Sequence, residues 1–126
     1  TSKIVSKIWN DNNNQDGLRP TDITLYLKAN GEVIRTITLS DKNNWSSEVN
    51  DLEVYKDGMV IDYTIEEEEV ANYTASYSQD TLTVTNTHVP YTKSITVNKQ
   101  WVDNNNQDGK RPDSIKINLL KYINCF

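Results

Sequence analysis

Three polar residues stand where the alternation of a β-strand calls for apolar ones, and together they bring an amine, a carboxylate and a carboxamide into a core. In Val5-Ser6-Lys7-Ile8-Trp9, Lys7 shares a face with Val5 and Trp9. In Ile61-Asp62-Tyr63-Thr64-Ile65-Glu66-Glu67, the set Ile61, Tyr63, Ile65 runs on to Glu67, while Asp62, Thr64 and Glu66 face water. Between Thr81 and His88, four threonines point one way and Leu82, Val84, Asn86 and His88 the other, which puts Asn86 in core phase. Each has a bland explanation when taken singly. A lysine near a strand end snorkels to solvent, a late asparagine caps an edge, and one glutamate in a run of four is a solvated charge. Their coincidence on the first, a late and the last strand of one unit carries the weight. An unpartnered ammonium or carboxylate costs several kcal/mol to bury, so Lys7 and Glu67 are expected to pair or to change protonation.

The elements that must position these groups are β-strands. Val, Ile, Thr, Tyr, Trp and Phe fall in short alternating runs broken by Gly, Asn and Asp clusters, and no helical periodicity is present. The pattern predicts strands over 3–10, 22–28, 33–39, 45–49, 60–67, 73–77 and 81–87, with hairpin turns at Asn30-Gly31 and Asp57-Gly58. Seven short strands at this spacing argue for an all-β, two-sheet sandwich.

The chain also repeats itself. The segment from Val5 to Leu25 recurs from Val97 to Ile117, with 13 of 21 positions identical, including the whole run Asp11-Asn12-Asn13-Asn14-Gln15-Asp16-Gly17. The offset of 92 residues defines the length of one unit. A complete domain is therefore expected over 1–90, and residues 91–126 are expected to hold the first strands of a second copy, with Lys99 as the counterpart of Lys7. Pro90 lies in a stretch too short for a flexible linker, so the units should be closely joined. Lys99 has no Glu or Asn partner within this chain, and the apolar strand Ile95–Trp101 is expected to present an unpaired edge. The tail Tyr122-Ile123-Asn124-Cys125-Phe126 departs from the first copy, which has Asn30-Gly31 at that place, and reads as a truncated or out-of-frame end.

Charge and composition narrow the function. A formal charge of −5 and a pI near 4.8 have the wrong sign for neutralising phosphates, so nucleic acid is not an expected partner. No apolar run is long enough to span a membrane, and no cofactor motif is present. Cys125 is the one cysteine, so there is neither a disulfide framework nor a paired-Cys zinc site. Neither a leader-like start nor a sorting motif lies in these residues, as expected of a mature region or an internal piece.

Taken together, Lys7-Ile8-Trp9, the Asp11–Gly17 run with Arg19-Pro20, Trp45, Tyr63-Thr64-Ile65-Glu66-Glu67 and Thr85-Asn86-Thr87-His88 resemble the B-type domains of Gram-positive collagen adhesins, the Cna B-type family. The likeness covers residues 3–90 and restarts at about 94. It implies a prealbumin-like, inverse immunoglobulin-type sandwich. It further implies an intramolecular isopeptide bond between a first-strand lysine and a last-strand asparagine, assisted by a buried glutamate; here these are Lys7, Asn86 and Glu67. Alternation favours Glu67 for the last role, since Glu66 or Glu68 would need a bulge. Members of the family often carry Pro-Gly where Ala71-Asn72 precedes Tyr73 here, which bears on the shape of that turn alone. The role implied is a stalk repeat in a cell-wall-attached, extracellular surface protein. Its partners would be adjacent repeats of the same chain and, through other domains, the host extracellular matrix. Catalysis would be limited to one autocatalytic turnover.

Three other readings compete. Asn12–Gly17 half-matches the start of a calcium loop, but the first and twelfth ligand places hold Asn12 and Ile23, so no metal is expected. The sandwich could bind collagen or a glycan directly through Tyr and Trp, although Trp9, Trp45 and Trp101 sit where core residues belong. A hydrolase built on Glu66–Glu69 lacks a defined carboxylate pair across a cleft, and His88 alone is too little for a triad. Asn44-Trp45-Ser46 and Asn72-Tyr73-Thr74 fit the glycosylation acceptor pattern by chance.

Overall fold

A computed structural model describes residues 1–121; the divergent tail Tyr122–Phe126 lies outside the described residues. Among the described residues nine strands form in order: β1 (Lys3–Asn10), β2 (Asp22–Ala29), β3 (Glu32–Ser40), β4 (Ser46–Val49), β5 (Tyr55–Lys56), β6 (Met59–Val60), β7 (Tyr63–Glu67), β8 (Thr74–Tyr77) and β9 (Leu82–Thr87). One 3-10 turn, Asp41–Asn43, follows β3 and is capped by the Ser40 hydroxyl.

The strands make a four-stranded sheet in the order β4-β1-β9-β8, a three-stranded sheet in the order β3-β2-β7, and the small hairpin β5-β6. All pairings are antiparallel except one. The first strand and the last lie side by side and parallel, from Val5 opposite Leu82 to Asn10 opposite Thr87. Alternation did not reveal this neighbourhood, because strands far apart in the chain carry no mark of which pairs with which.

The inward sets pack between the sheets. Val5, Ile23, Leu25, Leu39 and Val84 form one buried cluster, bordered by Trp9, Trp45 and Ile65. Leu27, Val49 and Leu52 form a second. The alternation of β1 is plain in the exposures, with Val5 at 0% against Ile4 at 63% and Ile8 at 52%. Asn30 and Gly31 turn the β2–β3 hairpin with φ of 49° and 89°, the left-handed region that Asn and Gly tolerate. Asp57-Gly58 does the same between β5 and β6.

Several strand ends shift by one residue from expectation, and three departures bear on the site or on the domain plan. Trp45 has φ 57° and stands outside β4, which starts at Ser46. The run expected as one strand over 60–67 is broken: Val60 closes the β5-β6 hairpin, and β7 begins only at Tyr63. The largest departure concerns the second copy. The described residues fall into two compact units, Thr1–Thr92 and one beginning at Lys93, and no strand forms in the second among the described residues. The expected strand over Ile95–Trp101 is absent because a strand exists only through pairing, and residues 93–121 contain no counterpart of β4 or β9.

Candidate functional site

Lys7, Glu67 and Asn86 all point into the core. Lys7 and Asn86 come from adjacent strands of the four-stranded sheet, and Glu67 from β7 of the facing sheet, opposite Leu25 of β2. The Lys7 ammonium donates to Glu67 Oε2 at 2.7 Å, and the two side chains are 0% and 2% exposed. Asn86 is 0% exposed, and neither its Nδ2 nor its Oδ1 has a hydrogen-bond partner among the described residues.

Local backbone fixes each group. The Lys7 amide donates to the Trp45 carbonyl at 2.8 Å, made possible by the left-handed turn at Asn44 and Trp45. The Glu67 amide donates to the Tyr77 hydroxyl at 2.8 Å, tying β7 to β8 of the other sheet. Among the four consecutive glutamates, pairing of Leu25 with Glu67 and of Tyr26 with Glu66 decides which carboxylate turns inward. Glu66 stays exposed and pairs with Lys28.

Burial pushes the Lys7 amine below its ordinary range, and this outweighs the hydrogen bond and charge of Glu67, which act the other way. The arrangement therefore holds an amine biased toward neutrality, a carboxylate in contact with its proton, and an amide with free lone pairs and N–H groups. Its chemical capacity is acyl transfer from a carboxamide to an amine. The counterpart lysine of the second copy, Lys99, is exposed and has its amine 4.9 Å from the Trp101 ring centroid.

A second cluster escaped the sequence reading. Asp11, expected to lie in a merely polar turn, is 2% exposed. It accepts from Arg19 Nε at 3.1 Å, from an Arg19 terminal nitrogen at 2.6 Å, from the Tyr73 hydroxyl at 2.7 Å and from the Asn14 amide at 3.0 Å. These donors, led by Arg19, depress its pKa to about 2, and burial with the bond to Asp11 raises Tyr73 to about 12. Asn12, Asn13 and Asn14 are successively left-handed, at φ 52°, 58° and 60°, which explains an asparagine triplet there. Recurrence of an Asp and an Arg eight residues apart, at 11 and 19 and at 103 and 111, was the available signal. Trp9 joins this cluster to the candidate site, with its ring 5.0 Å from Tyr73, 5.2 Å from Trp45 and 5.2 Å from the Arg19 guanidinium.

His88, which sequence reasoning left without a role, is buried. Its Nε2 meets Asp16 Oδ2 at 2.8 Å and its Nδ1 meets the Asn72 carbonyl at 3.0 Å, while the Tyr91 amide also donates to Asp16 Oδ2, at 2.9 Å. Both carboxylates of the Asp11–Gly17 loop are thus engaged by protein donors. Among the described residues no group of three or more His, Cys, Asp or Glu is placed to hold a metal ion.

The first and last strands of a two-sheet sandwich thus lie together, with a lysine, an asparagine and a glutamate enclosed between the sheets, which defines a β-sandwich domain with a buried polar triad. The family described as Cna protein B-type domain matches residues 4–87 and again 95–124, and the chain belongs to that family. It is 44% identical over 121 residues to the collagen adhesin of Staphylococcus aureus, covering 96% of this chain and 10% of that protein. It thus spans about a tenth of the length of the curated relative it matches. The crystal structure of a single B repeat unit of the S. aureus collagen-binding surface protein superposes with a TM-score of 0.66 at 46% identity, covering 89% of this chain and 59% of that one. The structure of two B repeat units of the same protein gives a TM-score of 0.66 at 46% identity, covering 89% of this chain and 30% of that one.

Proposed function

We propose that residues 1–90 form a stalk repeat of a cell-surface adhesin, closed by a self-formed isopeptide bond between Lys7 Nζ and Asn86 Cγ. The observation that carries this reading is Asn86. An amide with no hydrogen-bond partner in a closed core is costly, and here it stands beside a buried amine–carboxylate pair. Condensation lowers the penalty by merging the amide and the amine into one group and expelling Nδ2 as ammonia.

In the proposed reaction the Lys7 ammonium passes its proton to Glu67, leaving a neutral amine and a carboxylic acid. The acid hydrogen-bonds the Asn86 carbonyl oxygen while the amine lone pair attacks Cγ. The new C–N bond forms, the Cγ–Nδ2 bond breaks, and Glu67 relays the amine's second proton to Nδ2, which departs as ammonia. No oxidant or cofactor is consumed. Folding supplies the proximity, so the domain acts on itself once.

The stalk role rests on topology. Because β1 and β9 run parallel and adjacent, pulling on the two termini shears one strand past the other. A bond between 7 and 86 passes tension across the sheet and leaves the intervening strands unloaded. It also closes a loop of 79 residues, which a chain-entropy estimate for cross-links places at about 4.5 kcal/mol of stabilisation. This suits a spacer outside the cell that holds a separate ligand-binding region off the cell wall without disulfides. Neighbouring repeats of the same chain are its direct partners, and host matrix is reached only through other domains.

The test is the intact mass of the denatured chain. The expected mass is one ammonia below the sequence value, with the full value restored in Lys7→Ala and Asn86→Ala. Glu67→Ala should fold and remain unlinked. A folded wild-type chain at the full sequence mass would overturn the reading.

A further inference from the structure

Resting on the cross-linking reading, we infer that Trp9 is a positioning residue for that reaction: its ring draws the Lys7 amine along the strand to the level of Asn86. The register makes such a device necessary. Lys7 pairs with Val84, whereas Asn86 pairs with Trp9. The reacting residues are therefore diagonal, and the amine starts two residues short of its target, about 6.6 Å along the strand at the ordinary rise of about 3.3 Å per residue. A lysine that stood straight off the sheet would meet Val84. Instead its Nζ lies 4.4 Å from the centroid of the ring of Trp9, within cation–π range, and Trp9 is the residue whose backbone pairs with Asn86.

Glu67 is not what sets this lean. In the second unit, where the chain supplies no counterpart of Glu67 or Asn86, Lys99 adopts the same relation to Trp101, with Nζ 4.9 Å from the ring. The ring itself is held from behind. Trp45 and Tyr73 meet it edge-on at 5.2 and 5.0 Å, and the Arg19 guanidinium, 5.2 Å away, is anchored to Asp11. Arg111 stands 5.2 Å from Trp101 in the same manner, anchored to Asp103. The lysine–tryptophan–arginine stack thus forms from one stretch of chain, before the strand bearing the asparagine is needed. The Trp9 indole N–H is buried and has no partner among the described residues, so no hydrogen bond fixes the ring. Its place is set by packing alone.

The experiment follows bond formation in time. The full chain is synthesised cell-free, quenched in denaturant at intervals, and the fraction lighter by one ammonia is read by mass. Trp9→Phe and Trp9→Tyr keep an aromatic face of weaker cation affinity, and Trp9→Leu removes it; folding of each is checked by circular dichroism. The expected order of rates is Trp, then Tyr and Phe, then Leu, the last slower by about 100-fold, the penalty typical of an ångström-scale misplacement. A ring that attracts the ammonium also favours the charged amine, so its loss should move the rate–pH profile toward lower pH, which a purely structural role would not do. Folded Phe and Tyr variants that cross-link at the wild-type rate with an unmoved profile overturn the role of Trp9 and leave the bond standing. A wild-type chain that never loses ammonia overturns the bond instead. Should Trp9→Leu fail to fold, the graded Phe and Tyr rates still decide.

Discussion

The loop between the first two strands of the complete unit and the same loop in the second unit share nearly every hydrogen bond but differ in what surrounds them. Asn14 and Asn106 both cap their aspartate at 3.0 Å, and each accepts from the following arginine amide at 3.0 Å. The arginine forks onto the aspartate at 3.1 and 2.6 Å in one copy and at 3.0 and 2.6 Å in the other. Left-handed φ values at the three asparagines agree within a degree or so. Yet the Asp11 side chain is 1% exposed and that of Asp103 is 28% exposed. The loop is written in nine contiguous residues, Asp11–Arg19 or Asp103–Arg111, and forms without a sheet. The candidate site is not local: Lys7 is buried because β9 flanks it and β7 of the facing sheet covers it, and Lys99, which has neither, is exposed.

The sharpest way to break that comparison is to neutralise each aspartate in turn. Asp11→Asn removes a buried charge that pairs with the partly buried Arg19 and weakens the bond from Tyr73, so the complete unit should lose about 2–4 kcal/mol. Asp103→Asn acts on a partly exposed pair in a unit without strands and should leave the unfolding transition of the chain where it is. Chemical denaturation of the two variants against wild type reads both outcomes. Equal losses would mean that the loop in the complete unit gains nothing from Tyr73 and burial.

These two regions also mark what could be read from sequence. Period-two alternation was enough to place Lys7, Asn86 and Glu67 in core phase, because one face of each strand is apolar and a slip of one residue would reverse it. It could not give the parallel pairing of β1 with β9, which joins residues 77 positions apart. Nor could it find the burial of Asp11, since three of its donors sit in the same polar loop and the fourth, Tyr73, is 62 residues away. Trp45 was misplaced for a similar reason. Its apolar, β-favouring side chain argued for strand, whereas its backbone is left-handed, at φ 57°, in a turn from which the ring packs edge-on against Trp9.

Acid should sharpen the contrast by a smaller margin. A depressed carboxyl pKa contributes stability that is present above the unfolded value and lost as pH falls through the folded one. For Asp11 the window runs from 3.8 down to about 2. Asp103 is also lowered, chiefly by Arg111, but lacks a tyrosine donor. Carboxyl-carbon NMR titration should place the Asp11 midpoint near 2, with Asp103 also lowered from its ordinary value but by less. A lower midpoint for Asp103 would reverse the ranking of the two environments.

The smallest expected effect concerns Asp16 and its counterpart Asp108, because only the first meets a histidine. The bond to Asp16 raises the His88 pKa above 6.5, aided by the Asn72 carbonyl and opposed by burial. The sign is opposite to that of Asp11: a raised value means the contribution is complete below 6.5 and fades as pH climbs through the folded pKa. Asp16 holds His88 and the Tyr91 amide with one oxygen, so protonated His88 fastens the segment after β9 to the first loop. Imidazole NMR should show a midpoint above 6.5 in the wild type, moving down in Asp16→Asn and unchanged in Asp108→Asn. Exchange of the Tyr91 amide should quicken in Asp16→Asn alone. A His88 midpoint indifferent to Asp16 would leave the loop pair differing only in burial, with no clasp in the complete unit.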